Sequence, residues 1–223
     1  MSSKKRIVAI VGPLGVFPAV KLSLPARRIL AYLAIRGRAL PRATVSADLW
    51  PDASEEAGRT NLRRALWNTP RGWIVSVGEE IELVADTDLL VAETAAAHAM
   101  NGSPLTYEQI RLLSEDLLPN WHEEWVLPYQ DRFRALRVQA LEAACRTLTQ
   151  RGDPSLATQA GAAALAAEPL RESAAEALIE AHLAQRNRFE AVRCYRSLAN
   201  KLELELGVCP TAALTERIEQ LAG

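Results

Sequence analysis

Apolar and polar positions change period several times along the chain. Ile7-Val8-Ala9-Ile10-Val11 is a β-branched run that predicts a strand. Gly12-Pro13-Leu14-Gly15 predicts a turn, and Val20-Lys21-Leu22-Ser23-Leu24 alternates in polarity as a second strand would. From Pro25 the period lengthens. Ile29, Leu30, Leu33 and Ala34 fall on one helical stripe, which Gly37 ends. A shorter helix is expected over about 42–50, burying Val45, Leu49 and Trp50, with Pro51 as its stop.

The third helical pattern carries the most information. Asp52 or Ser54 can cap it, and Glu55 and Glu56 suit the positive end of its dipole. At about 100° per residue, Gly58, Leu62, Ala65 and Leu66 share one side, while Thr60, Arg63, Arg64, Trp67 and Asn68 share the other. Pro70 ends the pattern. Two strand-like runs follow, Trp73 to Val77 and Glu80 to Val84, around Gly78-Glu79, which predicts a hairpin.

Residues 86–100 read as an acidic and then alanine-rich helix, broken by Asn101-Gly102-Ser103-Pro104, and 105–118 as another. From about 121 onward the period stays near 3.6, with turns at Gly152-Asp153-Pro154, Glu168-Pro169, Arg186-Asn187 and Gly207-Val208-Cys209-Pro210. Gln150-Arg151-Gly152 before Leu156-Ala157 is echoed by Gln185-Arg186-Asn187 before Glu190-Ala191. Ala157 and Ala191 stand 34 residues apart, the period of a tetratricopeptide helix pair, though the second copy lacks the counterpart of Pro169. A generic helical bundle is the alternative. Stacked helix pairs leave a concave groove suited to protein segments.

Order and pattern together predict a mainly α chain with a small β component. A winged helix-turn-helix domain over 1–100 precedes a tetratricopeptide-like helical domain over 104–223. Charge sharpens this division. The 223 residues carry a net charge of -1, but residues 1–78 hold 13 Lys/Arg against 4 Asp/Glu, and 79–223 hold 13 against 23. A basic front half suits a polyanion; the alternative is a solvated one-signed face. The third helix would read the major groove through Thr60, Arg63, Arg64, Trp67 and Asn68, where arginine can pair with guanine and asparagine with adenine. Arg59 and Arg71, with Arg36, Arg38 and Arg42, would hold phosphates. Double-stranded DNA is therefore the expected ligand.

Other chemistries find less support. Gly12 and Gly15 lack the GK[ST] ending of a phosphate loop. His122-Glu123-Glu124 begins like a zinc-binding helix, but Val126 stands where the second histidine belongs. His98 and His182 are isolated, and no nucleophile motif is present, so the sequence suggests no enzyme, metal or cofactor. Cys145, Cys194 and Cys209 are odd in number and far apart, as free thiols of a reducing cytoplasm are. No apolar run is long enough to span a membrane, and Lys4-Lys5-Arg6 reads as a basic lead into the first strand rather than as part of a signal peptide. Trp121 and Trp125, at helical spacing, read as packing residues at a domain junction. Phe189 and Tyr195 read as helix-packing residues within the repeat.

Several of these segments resemble the SARP-type bacterial regulators, in which an OmpR-like winged helix precedes a bacterial transcriptional activator domain. The closest segment is Leu118-Pro119-Asn120-Trp121-His122-Glu123-Glu124-Trp125-Val126, followed by Arg132, Arg134-Ala135-Leu136-Arg137 and Ala140-Leu141-Glu142-Ala143. Leu204-Glu205-Leu206-Gly207-Val208-Cys209-Pro210 is similar to a second family motif. Ala47-Asp48-Leu49-Trp50-Pro51-Asp52 and Asn61-Leu62-Arg63-Arg64-Ala65-Leu66 resemble parts of the winged helix. The likeness covers about 7–223. It implies a transcriptional activator whose helical domain serves homodimerisation or contacts RNA polymerase or another protein, on direct-repeat sites. With no receiver domain in the sequence, receiver phosphorylation is not the expected switch. Two features depart from the family. Asn68-Thr69-Pro70-Arg71-Gly72 shortens the recognition helix, and Gly78-Glu79-Glu80-Ile81 puts acidic residues where phosphate would approach. These departures motivate a second expectation, a helical-repeat interaction or ligand-sensing protein whose winged helix does not read DNA.

Overall fold

A computed structural model of the chain describes residues 5–222, so Lys4 of the basic lead lies outside the described residues. Two compact units are present. One holds the residues up to Val91 together with Asp116–Arg132; the other holds Ala92–Glu115 and the chain from Phe133.

The first unit begins with β1 (Ile7–Ala9), β2 (Gly15–Phe17) and α1 (Leu24–Arg36). The strand expected at 20–24 is absent. The Ser23 hydroxyl instead accepts the Ala26 N–H at 3.4 Å, and Pro25 sits in the first turn, so the segment ends as a helix cap. Gly37, at φ 60°, closes α1 in the left-handed region. There follow β3 (Leu40–Pro41), α2 (Arg42–Leu49), α3 (Glu55–Trp67), and the hairpin of β4 (Ile74–Val77) and β5 (Glu80–Leu83). Its register pairs Val75 with Glu82 and Val77 with Glu80, and β3 pairs antiparallel to the other edge of β5. β6 (Asp86–Thr87) joins β1 in parallel, completing a second sheet in the order β2-β1-β6. Residues 116–132 return to this unit. Leu117 bridges Val11, and the Leu118 N–H donates to the Ile10 carbonyl at 2.9 Å.

A single core explains why three short helices hold together here. Ile29, Tyr32 and Leu33 of α1 meet Val45 and Leu49 of α2, Leu62 and Ala65 of α3, and Ile81 of β5. Each residue is at most 3% exposed, so removing this surface from water supplies the packing that isolated helices of 8–13 residues lack. Three short helices closed by a hairpin stand in the order expected from the sequence.

Helix α4 (Asp88–Met100) is followed by α5 (Tyr107–Ser114), which stops short of the expected residue 118 because Glu115 turns extended. Thr106 and Gln109 form a reciprocal capping box at its start. α6 (Leu127–Gln150), α7 (Pro154–Ala167), α8 (Glu172–Ala184), α9 (Arg188–Leu206) and α10 (Ala212–Ala222) complete the chain. Residues 121–126, expected to be helical, precede α6 as an irregular stretch over 121–123 and a turn over 124–126.

In the second unit α7 packs on α8 and α8 on α9. The 34-residue repeat appears in the backbone. Asp153 and Asn187 each cap the next helix by accepting the N–H three residues on, both at 3.2 Å. The N–H of each also closes the preceding helix on Leu148 or His182, both at 2.9 Å. Ala157, Ala160, Ala164, Ala174, Ala175 and Ala181 are fully buried, letting helices approach closely. Glu142 of α6 is buried, accepting from Arg171 Nε at 2.6 Å and Ser173 Oγ at 3.0 Å and pairing with Arg146 at 2.6 Å.

Candidate nucleic-acid interface

α3 is built by its cap, its acidic first turn and its stop. The Ser54 hydroxyl accepts the Ala57 N–H at 3.3 Å, and Glu55 and Glu56 sit at the positive end of the dipole. At the far end the Thr69 hydroxyl donates back to the Ala65 carbonyl at 2.9 Å, and Pro70 follows. Thirteen helical residues result. Gly58, Leu62 and Ala65 are buried and Leu66 is partly buried, so the apolar side lies against α1 and α2. Thr60, Arg63, Arg64, Trp67 and Asn68 are exposed on the opposite side, as their spacing requires. Trp67 is 87% exposed, an unusual position for an indole unless a partner covers it.

The basic residues differ in how committed they are. Arg59 pairs with Glu55 at 2.5 Å across one exposed turn, a bond that water and salt weaken. Arg42 donates to the Ser76 hydroxyl at 2.8 Å, which ties the start of α2 to β4. Arg71 is exposed in the turn after Pro70. A groove of about 660 Å³ lies between the end of α3 and β4, and Arg42, Arg63, Trp67 and Arg71 are among its walls.

Arg36, expected among the phosphate-holding residues, is otherwise engaged. It donates to Asp48 and to the Tyr32 and Tyr129 hydroxyls, each at 2.8 Å. Tyr32 donates to Asp48 in turn, and burial, reinforced by that bond, pushes its hydroxyl pKa up to about 12. Arg28 donates to Glu123 at 2.5 Å and to the Leu49 carbonyl at 2.7 Å, and Trp125 Nε1 donates to the same carboxylate at 2.6 Å. Glu123, the centre of the zinc-like tripeptide, therefore neutralises an arginine. These groups border a cleft of about 1080 Å³ inside the first unit. Trp125 meets Tyr32 edge-on at 5.3 Å and Trp121 at 6.0 Å, so both tryptophans pack.

The outward face of the β4–β5 hairpin carries exposed Val75 and Val77 beside Glu80 and Glu82, with Glu79 at the tip. Burial pushes the Cys145 and Cys194 thiols up to about 12 and about 11, so neither is a ready nucleophile, while Cys209 is exposed. Among the described residues no cluster of three His, Cys, Asp or Glu side chains could hold a metal, and no helix is long and apolar enough to cross a membrane.

Residues 88–222 match the family described as the bacterial transcriptional activator domain. Among solved structures the chain is similar to Mycobacterium tuberculosis EmbR, determined in complex with a low affinity phosphopeptide. The TM-score is 0.67 at 24% identity, over 99% of this chain and 65% of that one. That likeness is one of fold, and the chain spans less than two thirds of the EmbR chain. No curated protein matches.

Proposed function

Because the chain belongs to the bacterial transcriptional activator domain family, we propose that it activates transcription by reading double-stranded DNA with α3. The observation that carries this reading is the exposed face of α3. Thr60, Arg63, Arg64, Trp67 and Asn68 project from a helix whose other side is fixed in the core. Arg63, Arg64 and Asn68 supply donors that match base edges in the major groove. Arg42, Arg59 and Arg71 hold the flanking phosphates and set the register. The helical-repeat unit then contacts RNA polymerase or another protein, or a second copy of the chain, in the cytoplasm. The reaction is recruitment, with no covalent step and no cofactor.

The test is selection from a library of random duplexes at two salt concentrations. The expected result is one recovered motif, with a log–log salt slope near -0.9 per phosphate neutralised. Replacing Arg63 and Arg64 by Ala should lose about 1–3 kcal/mol per base contact and relax the motif at those positions. Binding that is salt-sensitive but yields no motif would leave only a basic surface. No binding at low salt overturns the proposal, and the chain is then a helical-repeat interaction or ligand-sensing protein, a reading favoured by the acidic hairpin.

A further inference from the structure

Four aromatic side chains line the cleft of about 1080 Å³ inside the first unit. Tyr32 is buried, while Trp50, Trp125 and Tyr129 are half-buried and keep ring surface open to solvent. Three of these rings already carry a cation. The Arg28 guanidinium lies 5.6 Å from the centre of the Trp50 ring, and that of Arg36 lies 5.1 Å from Tyr32 and 5.8 Å from Tyr129. Both arginines are neutralised within the cleft, Arg28 by Glu123 at 2.5 Å and Arg36 by Asp48 at 2.8 Å. The lining holds two more carboxylates, Asp52 and Glu124. Both are exposed, and neither forms an ion pair among the described residues. What the chain leaves unmatched here is negative charge beside aromatic surface.

We propose that this cleft binds a small organic cation whose charged centre is carried on an aromatic or branched apolar body. Aromatic rings attract a cation through their faces and cover the apolar body, and Asp52 and Glu124 balance its charge at the rim. The size suits such a ligand, since small-molecule sites run from about 300 to about 1,000 Å³. An anion is disfavoured twice over. It would meet two unpaired carboxylates, and the arginines nearby already hold carboxylates of their own. The walls come from the Trp50–Ala53 turn after α2 and from the 122–129 segment, so a bound cation bridges the two. A ligand held only by the folded chain also stabilises it. The site stands independently of whether α3 reads DNA.

Calorimetric titration of the whole chain without DNA tests this with two ions of like size and shape and opposite charge, tetraphenylphosphonium and tetraphenylborate. The phosphonium should bind saturably at one per chain and raise the melting temperature. The borate should bind at least tenfold more weakly. D52N/E124Q removes both unpaired charges and should weaken the phosphonium about tenfold, bringing the two ions close together in affinity. Both positions are exposed, and unchanged circular dichroism verifies the fold. The proposal is overturned by any of three results: no saturable binding of the phosphonium, equal affinity of the wild type for both ions, or a D52N/E124Q variant that binds the phosphonium as the wild type does.

Discussion

Arg186 holds a backbone conformation that glycine holds 34 residues earlier. Gly152 has φ 77° and Arg186 has φ 59°, each at the turn that closes one helix and opens the next. A side chain costs about 1–2 kcal/mol in this region, while glycine gives back about 0.5–1 kcal/mol through the freer unfolded chain. Arg186→Gly should therefore raise stability by about 0.5–1 kcal/mol, read as a higher urea midpoint at unchanged slope. Glu142 gives the pH counterpart. Burial alone would raise its pKa, but the bonds from Arg171, Ser173 and Arg146 outweigh burial and hold it below the ordinary 4.5. An unfolded chain takes up that proton at the ordinary value. The stabilisation is thus complete above pH 4.5 and is lost as pH falls through the lowered folded value. Glu142→Gln should cost about 2 kcal/mol at neutral pH, and the difference from wild type should shrink in acid. A gap that stays constant in urea titrations down to about pH 3 would show that the carboxylate's charge is not what matters. The repeat period and the Leu141-Glu142-Ala143 motif were both visible in the sequence. Arg171 as the partner was not, because it lies 29 positions away on another element.

Helix boundaries were legible wherever the chain carries its own punctuation. Ser54, Pro70, Gly37, Gly152 and Gly207 each act locally, and α1, α2, α3 and the hairpin stand within a residue or two of their expected bounds. The alternation at 20–24 misled for the same local reason. Five residues cannot distinguish a strand from the approach to a cap, and Ser23 with Pro25 decided it. What local pattern does not reveal is how closely two helices approach. Gly58 of α3 lies against α2, and a Cβ there would come within 2.5 Å of the Ser46 hydroxyl. Gly58→Ala should lose about 1–2 kcal/mol through overpacking and push the exposed face of α3 out of register with α2. Adding Ser46→Ala removes the obstruction and leaves alanine's advantage of about 0.5–1 kcal/mol within a helix, so the double variant should melt at or above the wild type. If the double variant is no better than the single one, the close approach of the two helices is set by something other than this hydroxyl.

At the scale of the whole molecule, the sequence shows a basic front and an acidic back, and helical spacing marks Trp121 and Trp125 as packing residues expected at a domain junction. In the structure that packing lies within the first unit: Trp125 packs on Tyr32, shares Glu123 with Arg28, and is followed by Tyr129 on Arg36. Residues 116–132 are thereby part of what holds α1 and α2, and through their core the reading helix α3. The consequence is a stability that is not shared evenly along the chain. Trp125→Ala removes a partly buried indole and an edge-on ring contact, a loss of about 2–3 kcal/mol. Native-state hydrogen exchange should report that loss as faster exchange in α1 and α2, while the amides of α7, α8 and α9 keep their protection. DNA affinity should fall with it, although Trp125 is not among the residues assigned to base or phosphate contact, because α3 is presented less rigidly. Loss of protection in α7–α9 with α1 unaffected would mean that the tryptophan segment stabilises the helical repeats instead. The activator-domain motif would then have no part in holding the reading helix.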